Sequence, residues 1–295
     1  MTLRRYLQLD VFAHRIGAGN PLAVVFDAQD LDTAAMQSFA AWMHLPETIF
    51  LLPPQAGADY RVRIFTPRQE LAFAGHPSLG AAWAAIDARR VPADSESLLQ
   101  ECAAGLLPVR IVHDATGMRV SVRAPHARRC DHDRATAQRL DAALAGWPRG
   151  ALAPGLWDNG PRWWVVELDA APDQPDRPDP VRSLQPDLNA VLALAGDDAL
   201  GLAVFARSRD PGYDYVVRAF CPGDGIAEDP VTGSANAAIA AALLEAGRLA
   251  PGDRYSVSQG REVGRDGCVE VRIDEDGEVW IGGRVQAVIR GTVEW

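Results

Sequence analysis

Apolar and charged positions alternate from Tyr60 to Phe65 (YRVRIF), the period-two pattern of a half-buried strand. Pro67 ends it. A polar loop leads through Ala74-Gly75-His76-Pro77-Ser78 into an alanine-rich run from about Leu79, whose small side chains, with Gly80, suit a helix approached closely on all sides. Proline in a first helical turn loses no hydrogen bond, because its absent N–H would have had no partner there. The loop therefore delivers Gly75, His76 and Ser78 to a helix N-terminus, where backbone N–H groups can bind an anion.

The pattern returns over YVVRAFCPGDGIAEDPVTGSANAAIAAA, starting at Tyr215. Tyr60, Arg63, Phe65 and Pro67 match Tyr215, Arg218, Phe220 and Pro222 at a constant offset of 155. Each copy continues with a polar loop, a second proline (Pro77, Pro230) and an alanine-rich helix, the second from about Ser234. A duplication of this length implies two like-folded halves, with two helix N-termini facing one another across a cleft. The same spacing also fits two ordinary strand–loop–helix units.

Elsewhere, Leu7–Phe12 and Leu22–Phe26 flank the turn HRIGAGNP and read as a hairpin. GAGNP lacks GxGxxG spacing and precedes a strand, so it is not a dinucleotide fingerprint. Asp32 or Thr33 caps a helix running to about Met43, with Met36, Phe39, Ala40 and Met43 on one face. Glu47–Leu52 is an apolar strand that opens with a carboxylate. Leu98–Glu101, Leu106–His113 and Met118–Val122 form antiparallel strands with turns at Gly105 and Thr116-Gly117. Ala135–Leu144 and Leu184–Ala195 read as helices, Trp163–Leu168 and Leu202–Ala206 as strands, and the Pro- and Asp-rich segment 171–180 as a surface loop. The tail, from Tyr255, is strands with turns at Asp266-Gly267 and Asp276-Gly277. Hairpins outnumber crossovers. The expected class is α+β, each half a mixed or mostly antiparallel sheet curled around its alanine-rich helix. The boundary is set at 127/128.

Composition narrows function. With 295 residues, 48% apolar and 23% charged, the chain is an ordinary globular one. A net charge of −10 argues against nucleic-acid binding. Cys102, Cys130, Cys221 and Cys268 are far apart and show no zinc spacing. There is no signal core and no apolar run of about 18 residues, so a cytoplasmic protein with no membrane contact is expected.

Glu47, between Pro46 and a buried-looking strand, is the first chemical candidate. Desolvation would raise its pKa toward neutrality, as suits a general acid and base; an exposed strand-end glutamate is the plainer reading. His76 at a positive helix end would be held neutral, or simply bonds its loop. Asp229, after Glu228, is expected at the place of His76 in the second repeat, where it also reads as a cap. Ser234 and the N–H groups of 232–234 form an anion cradle or, again, a cap. No GxSxG elbow occurs, and neither helix-start loop holds a cysteine. Cys221 reads as core. Trp157, Trp163 and Trp164 could line a pocket, though packing is the plainer reading.

Taken together, LDVFAHRIGAGNPLAVVFDA, LPETIFLL, RIFTPRQELAFAGHPSLGAAW, the NGP at 159–161 and AEDPVTGSANAAIAAALLEAG resemble, in order, the phenazine-biosynthesis PhzF family of the diaminopimelate-epimerase-like superfamily. QGREVGR (259–265) and GGRVQAVIRGTV extend the resemblance from about Leu7 to the end. It implies two pseudo-symmetric domains, each a β-barrel-like mixed sheet wrapped around a central helix. The first is residues 1–127, completed by 285–295, the second is 128–284, and the active site lies in the cleft between them. It further implies a homodimer, a small carboxylate-bearing substrate and no metal or organic cofactor. By position Glu47 falls on the family's acid/base, and His76, Asp229 and Ser234 on its other polar site residues. Gly75 and the Gly233–Ser234 backbone fall on its carboxylate-holding loops, and Asn20 and Pro77 complete the substrate-binding set. Related racemases use one cysteine on each loop. This chain has neither, so the resemblance favours an isomerase in which one carboxylate moves a proton along one face. In the phenazine pathway the substrate is trans-2,3-dihydro-3-hydroxyanthranilate; fold and site do not fix it here. A non-catalytic binder that kept the cleft, or a racemase with non-cysteine bases, are the alternatives.

Overall fold

A computed structural model describes residues 2–55, 57–115, 117–170, 176, 178–196 and 199–295. The expected turn residue Thr116 and much of the expected loop 171–180 lie outside them. The chain divides into two compact units, Met1–Arg123 with Ile281–Trp295, and Ala124–Trp280.

The first unit holds β1 (Leu3–Val11), β2 (Asn20–Phe26), α1 (Thr33–Met43), β3 (Glu47–Leu52), β4 (Tyr60–Phe65), β5 (Glu70–Leu71), α2 (Gly75–Asp87), β6 (Ser97–Cys102), β7 (Gly105–Asp114) and β8 (Gly117–Arg123). β1 pairs antiparallel with β2 and with the C-terminal strand. β2 runs parallel to β3, and β3 antiparallel to β4. β4 takes β5 antiparallel and β6 parallel, β6–β7–β8 is a meander, and β8 returns to the C-terminal strand. The ring of β1, β2, β3, β4, β6, β7, β8 and the C-terminal strand (Val279–Glu294) closes on itself, so among the described residues none of those eight is left as a free edge, and the two-residue β5 is a side branch on β4. α2 fills it, packing on β1, β2, β3, β4, β6 and β8. Its alanines allow that approach, and Gly80 requires it: a Cβ there would stand 2.3 Å from Leu22 Cδ2. α1 lies outside, capped by Asp32, whose carboxylate accepts the Ala35 N–H at 2.8 Å. Its Met36, Phe39 and Ala40 bury against Phe50 and Phe65.

The second unit repeats the order. It holds β9 (Arg128–Cys130), α3 (Arg134–Ala143), β10 (Gly155–Asp158), β11 (Arg162–Glu167), α4 (Leu188–Ala195), β12 (Gly201–Arg207), β13 (Tyr215–Cys221), β14 (Ile226–Asp229), α5 (Gly233–Glu245), β15 (Arg254–Gln259) and β16 (Gly267–Ile273). β11 runs parallel to β12, β12 antiparallel to β13, and β13 takes β14 antiparallel and β15 parallel. This is the β2–β3–β4–β5–β6 pattern again. α5 is the buried helix, and α3 and α4 cover an apolar cluster including Trp164, Val204 and Phe220. No helix among the described residues is long and apolar enough to cross a membrane.

The strand registers correct two expectations. α2 begins at Gly75, not near Leu79, so Gly75-His76-Pro77 is the first helical turn itself; Pro77 fits because a first-turn residue needs no N–H partner. The offset between copies is also not constant. Arg63 and Arg218 differ by 155, but the first residues of α2 and α5, Gly75 and Gly233, differ by 158. Three extra residues enter with the 3-10 turn Pro222–Asp224. The counterpart of His76 is therefore Ser234, that of Asp229 is Leu71, and Pro77 and Pro230 do not correspond.

Candidate active site

In the first unit Glu47 opens β3, opposite Leu22 on β2 and next to Thr48, which pairs with Phe65. His76 is the second residue of α2. The fold brings the two side chains together: His76 Nε2 lies 3.2 Å from Glu47 Oε2, with side chains 6% and 16% exposed. Burial holds the imidazole well below its ordinary value, at about 3. The close approach of a carboxylate would favour imidazolium, yet enclosure dominates, so the ring is neutral at neutral pH. With the imidazole held neutral, a proton taken up by this pair sits on the carboxylate and creates no buried cation. The Gly75 and His76 N–H groups sit in a first turn, where they have no intrahelical acceptor, and Pro77 brings none. Asn20 is wholly buried at the start of β2, two residues before the partner of Glu47.

In the second unit Asp229 ends β14, and its Oδ2 accepts the Thr232 hydroxyl at 2.6 Å. Thr232 is the N-cap of α5, and Gly233 and Ser234 are its first two residues. Ser234 Oγ accepts the Trp163 indole N–H at 3.0 Å, and its carbonyl accepts Asn159 Nδ2 at 2.8 Å. Those bonds fix Ser234 while leaving its hydroxyl hydrogen available to an acceptor. The sequence reads Trp163 as packing or pocket lining and Asn159 as part of the NGP motif, and the fold gives each a bond to Ser234. Trp163 corresponds to Leu22, at the start of the strand beside the buried helix, where an indole N–H needs a partner.

A duplicated clamp sets both loops. Arg63 grips Glu70 through Nε at 2.7 Å and Nη2 at 2.6 Å. Arg218 grips Glu228 through the same atoms at 2.9 and 2.7 Å. Each guanidinium lies over its own Phe65 or Phe220 ring. The clamp ties β5 or β14 to its neighbour and so orients the chain just before the helix. Among the described residues there is no cluster of three metal-ligating side chains.

With this geometry in view, known proteins are informative. Residues 9–291 match the sequence model of the family described as Phenazine biosynthesis-like protein (PhzC-PhzF). Antisense-enhancing sequence 1 of Schizosaccharomyces pombe is 30% identical over 301 residues, covering 99% of each chain. The trans-2,3-dihydro-3-hydroxyanthranilate isomerase of Pseudomonas aeruginosa is 33% identical over 287 residues, covering 97% of this chain and 94% of the relative. The crystal structure of a Bacillus anthracis phenazine biosynthesis protein of the PhzF family shares the fold, with a TM-score of 0.84 at 23% identity over 100% of both chains.

Proposed function

The chain belongs to the phenazine biosynthesis-like (PhzC-PhzF) family and is an isomerase of it, and from that premise we propose that it moves a proton within a small carboxylate-bearing metabolite, with Glu47 taking the proton up and returning it. The observation that supports this most is the Glu47–His76 approach of 3.2 Å beside the first turn of α2. A carboxylate whose neighbour stays neutral can accept a proton from carbon and release it to another carbon without a metal or organic cofactor. His76 then orients the substrate and receives or donates a hydrogen bond. In the second unit, the first-turn N–H groups of α5 and the Ser234 hydroxyl take the substrate carboxylate, and Asp229 accepts a hydrogen bond from the substrate. A homodimer belongs to the same proposal, and light scattering on the purified chain tests it.

The Pseudomonas aeruginosa relative is named for trans-2,3-dihydro-3-hydroxyanthranilate, which makes that compound the first probe. Turnover in deuterium oxide should place solvent deuterium in the product, and Glu47→Gln should slow this by about 10²- to 10⁴-fold while ligand binding persists. Unchanged incorporation in Glu47→Gln removes Glu47 from the role. Tight binding without any exchange in the native protein would favour a non-catalytic binder.

A further inference from the structure

The QGREVGR segment carries no role in the reaction described so far, yet its first two residues seat the loop before α5. Pro230, Val231 and Thr232 each rest on the β15–β16 hairpin. Gly260, at φ +98°, lies against the Pro230 carbonyl, where a Cβ would come within 2.5 Å of the oxygen. Gly267 lies against Val231, where a Cβ would meet Cγ2 at 2.3 Å. Gln259, the cross-strand partner of Gly267, reaches Thr232.

Gln259 is wholly buried, and all four of its amide positions are used. Oε1 accepts the Thr232 backbone N–H at 3.1 Å and Asn236 Nδ2 at 3.0 Å. Nε2 donates to Thr232 Oγ1 at 2.9 Å and to the Asp229 carbonyl at 3.2 Å. A backbone N–H can only donate, so the amide cannot be turned over. The donation from Nε2 occupies an acceptor position on Thr232 Oγ1. The single hydroxyl hydrogen is then left for Asp229 Oδ2 at 2.6 Å.

The first unit contains the same device with a different terminus. Gln100, also wholly buried, donates from Nε2 to Ser78 Oγ at 2.9 Å, and Ser78 passes its hydrogen to the Ala74 carbonyl at 2.9 Å. There the relay ends on backbone. In the second unit it ends on a carboxylate assigned to the substrate.

We propose that Gln259 is a positioning residue of the site: it directs the Thr232 hydroxyl hydrogen onto Asp229 and so holds that carboxylate in one orientation as a hydrogen-bond acceptor. The assignment rests on the functional reading above, which gives Asp229 its part in holding the substrate, whereas the relay itself rests on the geometry alone. Gln259→Glu keeps the shape, and as the carboxylate it has neither donor. In turnover of trans-2,3-dihydro-3-hydroxyanthranilate, followed by deuterium incorporation into the product, it should lower kcat about 10-fold with KM changed less than about 2-fold, the scale of one charge-assisted hydrogen bond. Thr232→Val should match it, Thr232→Ser should stay within about 2-fold of the native rate, and the double variant Gln259→Glu/Thr232→Val should be no worse than the worse single one. A native-like Gln259→Glu, losses that multiply, or a Thr232→Val as active as Thr232→Ser would each overturn the proposal. If melting shows that Gln259→Glu does not fold, the two Thr232 variants decide. If the native chain does not exchange the probe, the functional reading fails and the relay is judged by hydrogen exchange. The Gln259 side-chain amide protons should then exchange at least about 10-fold faster in Thr232→Val than in the native chain, and equal rates would refute it.

Discussion

The two units share a frame and differ in what they hang on it. Both have the parallel–antiparallel strand order, the Arg–Glu clamp over a phenylalanine, and a buried helix whose first turn is supported by a glutamine from the following strand. The registers then show what has diverged. Thr48 pairs with Phe65 and Leu202 with Phe220, so the counterpart of Glu47 is Gly201. No side chain fits there, because a Cβ on Gly201 would stand 1.9 Å from the Phe220 carbonyl oxygen. His76 corresponds to Ser234. One unit carries a titratable pair, and the other carries hydroxyl, indole and amide donors with a separate carboxylate. A duplicated scaffold can divide labour in this way, since strand register preserves geometry while single positions change chemistry.

Breaking the first unit's pair should have the largest effect. Glu47→Gln is expected to reduce the proton-transfer rate by about 10²- to 10⁴-fold, the usual worth of a positioned acid/base, measured by deuterium incorporation. The clamps give the next contrast. The Arg218–Glu228 side chains are 7% and 6% exposed, and those of Arg63–Glu70 are 24% and 30% exposed. Glu228→Gln leaves a buried guanidinium uncompensated and should cost about 3–5 kcal/mol in denaturant unfolding. Glu70→Gln should cost about 0–1 kcal/mol, and equal costs would show that burial does not separate the copies. Gly201→Ala places its methyl against backbone, which cannot swing away, and should destabilise by about 1–3 kcal/mol. The same measurement checks it.

The remaining contrast is a matter of pH. The folded-state pKa of His76, about 3, lies below its ordinary 6.5. The unfolded chain therefore binds this proton first. Its contribution is fully present above pH about 6.5 and is lost as pH falls toward about 3, with a slope approaching about 1.4 kcal/mol per pH unit. His76→Gln should flatten that part of the stability curve. An unchanged slope would mean that the ring is not held neutral.

Local signals are legible in the sequence. The alternation over Tyr60–Phe65, the Asp32 cap and the strand opening at Glu47 depend on neighbours a few residues away, and each forms where its pattern places it. Gly-His-Pro resembles a loop, so the sequence pattern puts the start of α2 too late, although all three residues suit a first turn. Pro77 and Pro230 imitate a continued repeat and so suggest a pairing of Asp229 with His76, whereas three added residues after Pro222 shift the frame. Gly201 as the counterpart of Glu47, Trp163 on Ser234 and Gln259 on Thr232 depend on strand pairing across tens of residues. No short-range pattern carries such information.

The central claim is that one carboxylate, that of Glu47, both removes and returns the proton. A single turnover of trans-2,3-dihydro-3-hydroxyanthranilate, deuterated at the carbon that loses hydrogen and run in ordinary water, tests it most directly. Some deuterium should reappear at the new position in the product with native enzyme, and none should transfer in Glu47→Gln. Product formed by native enzyme with no deuterium carried over, together with undiminished turnover in Glu47→Gln, would contradict it.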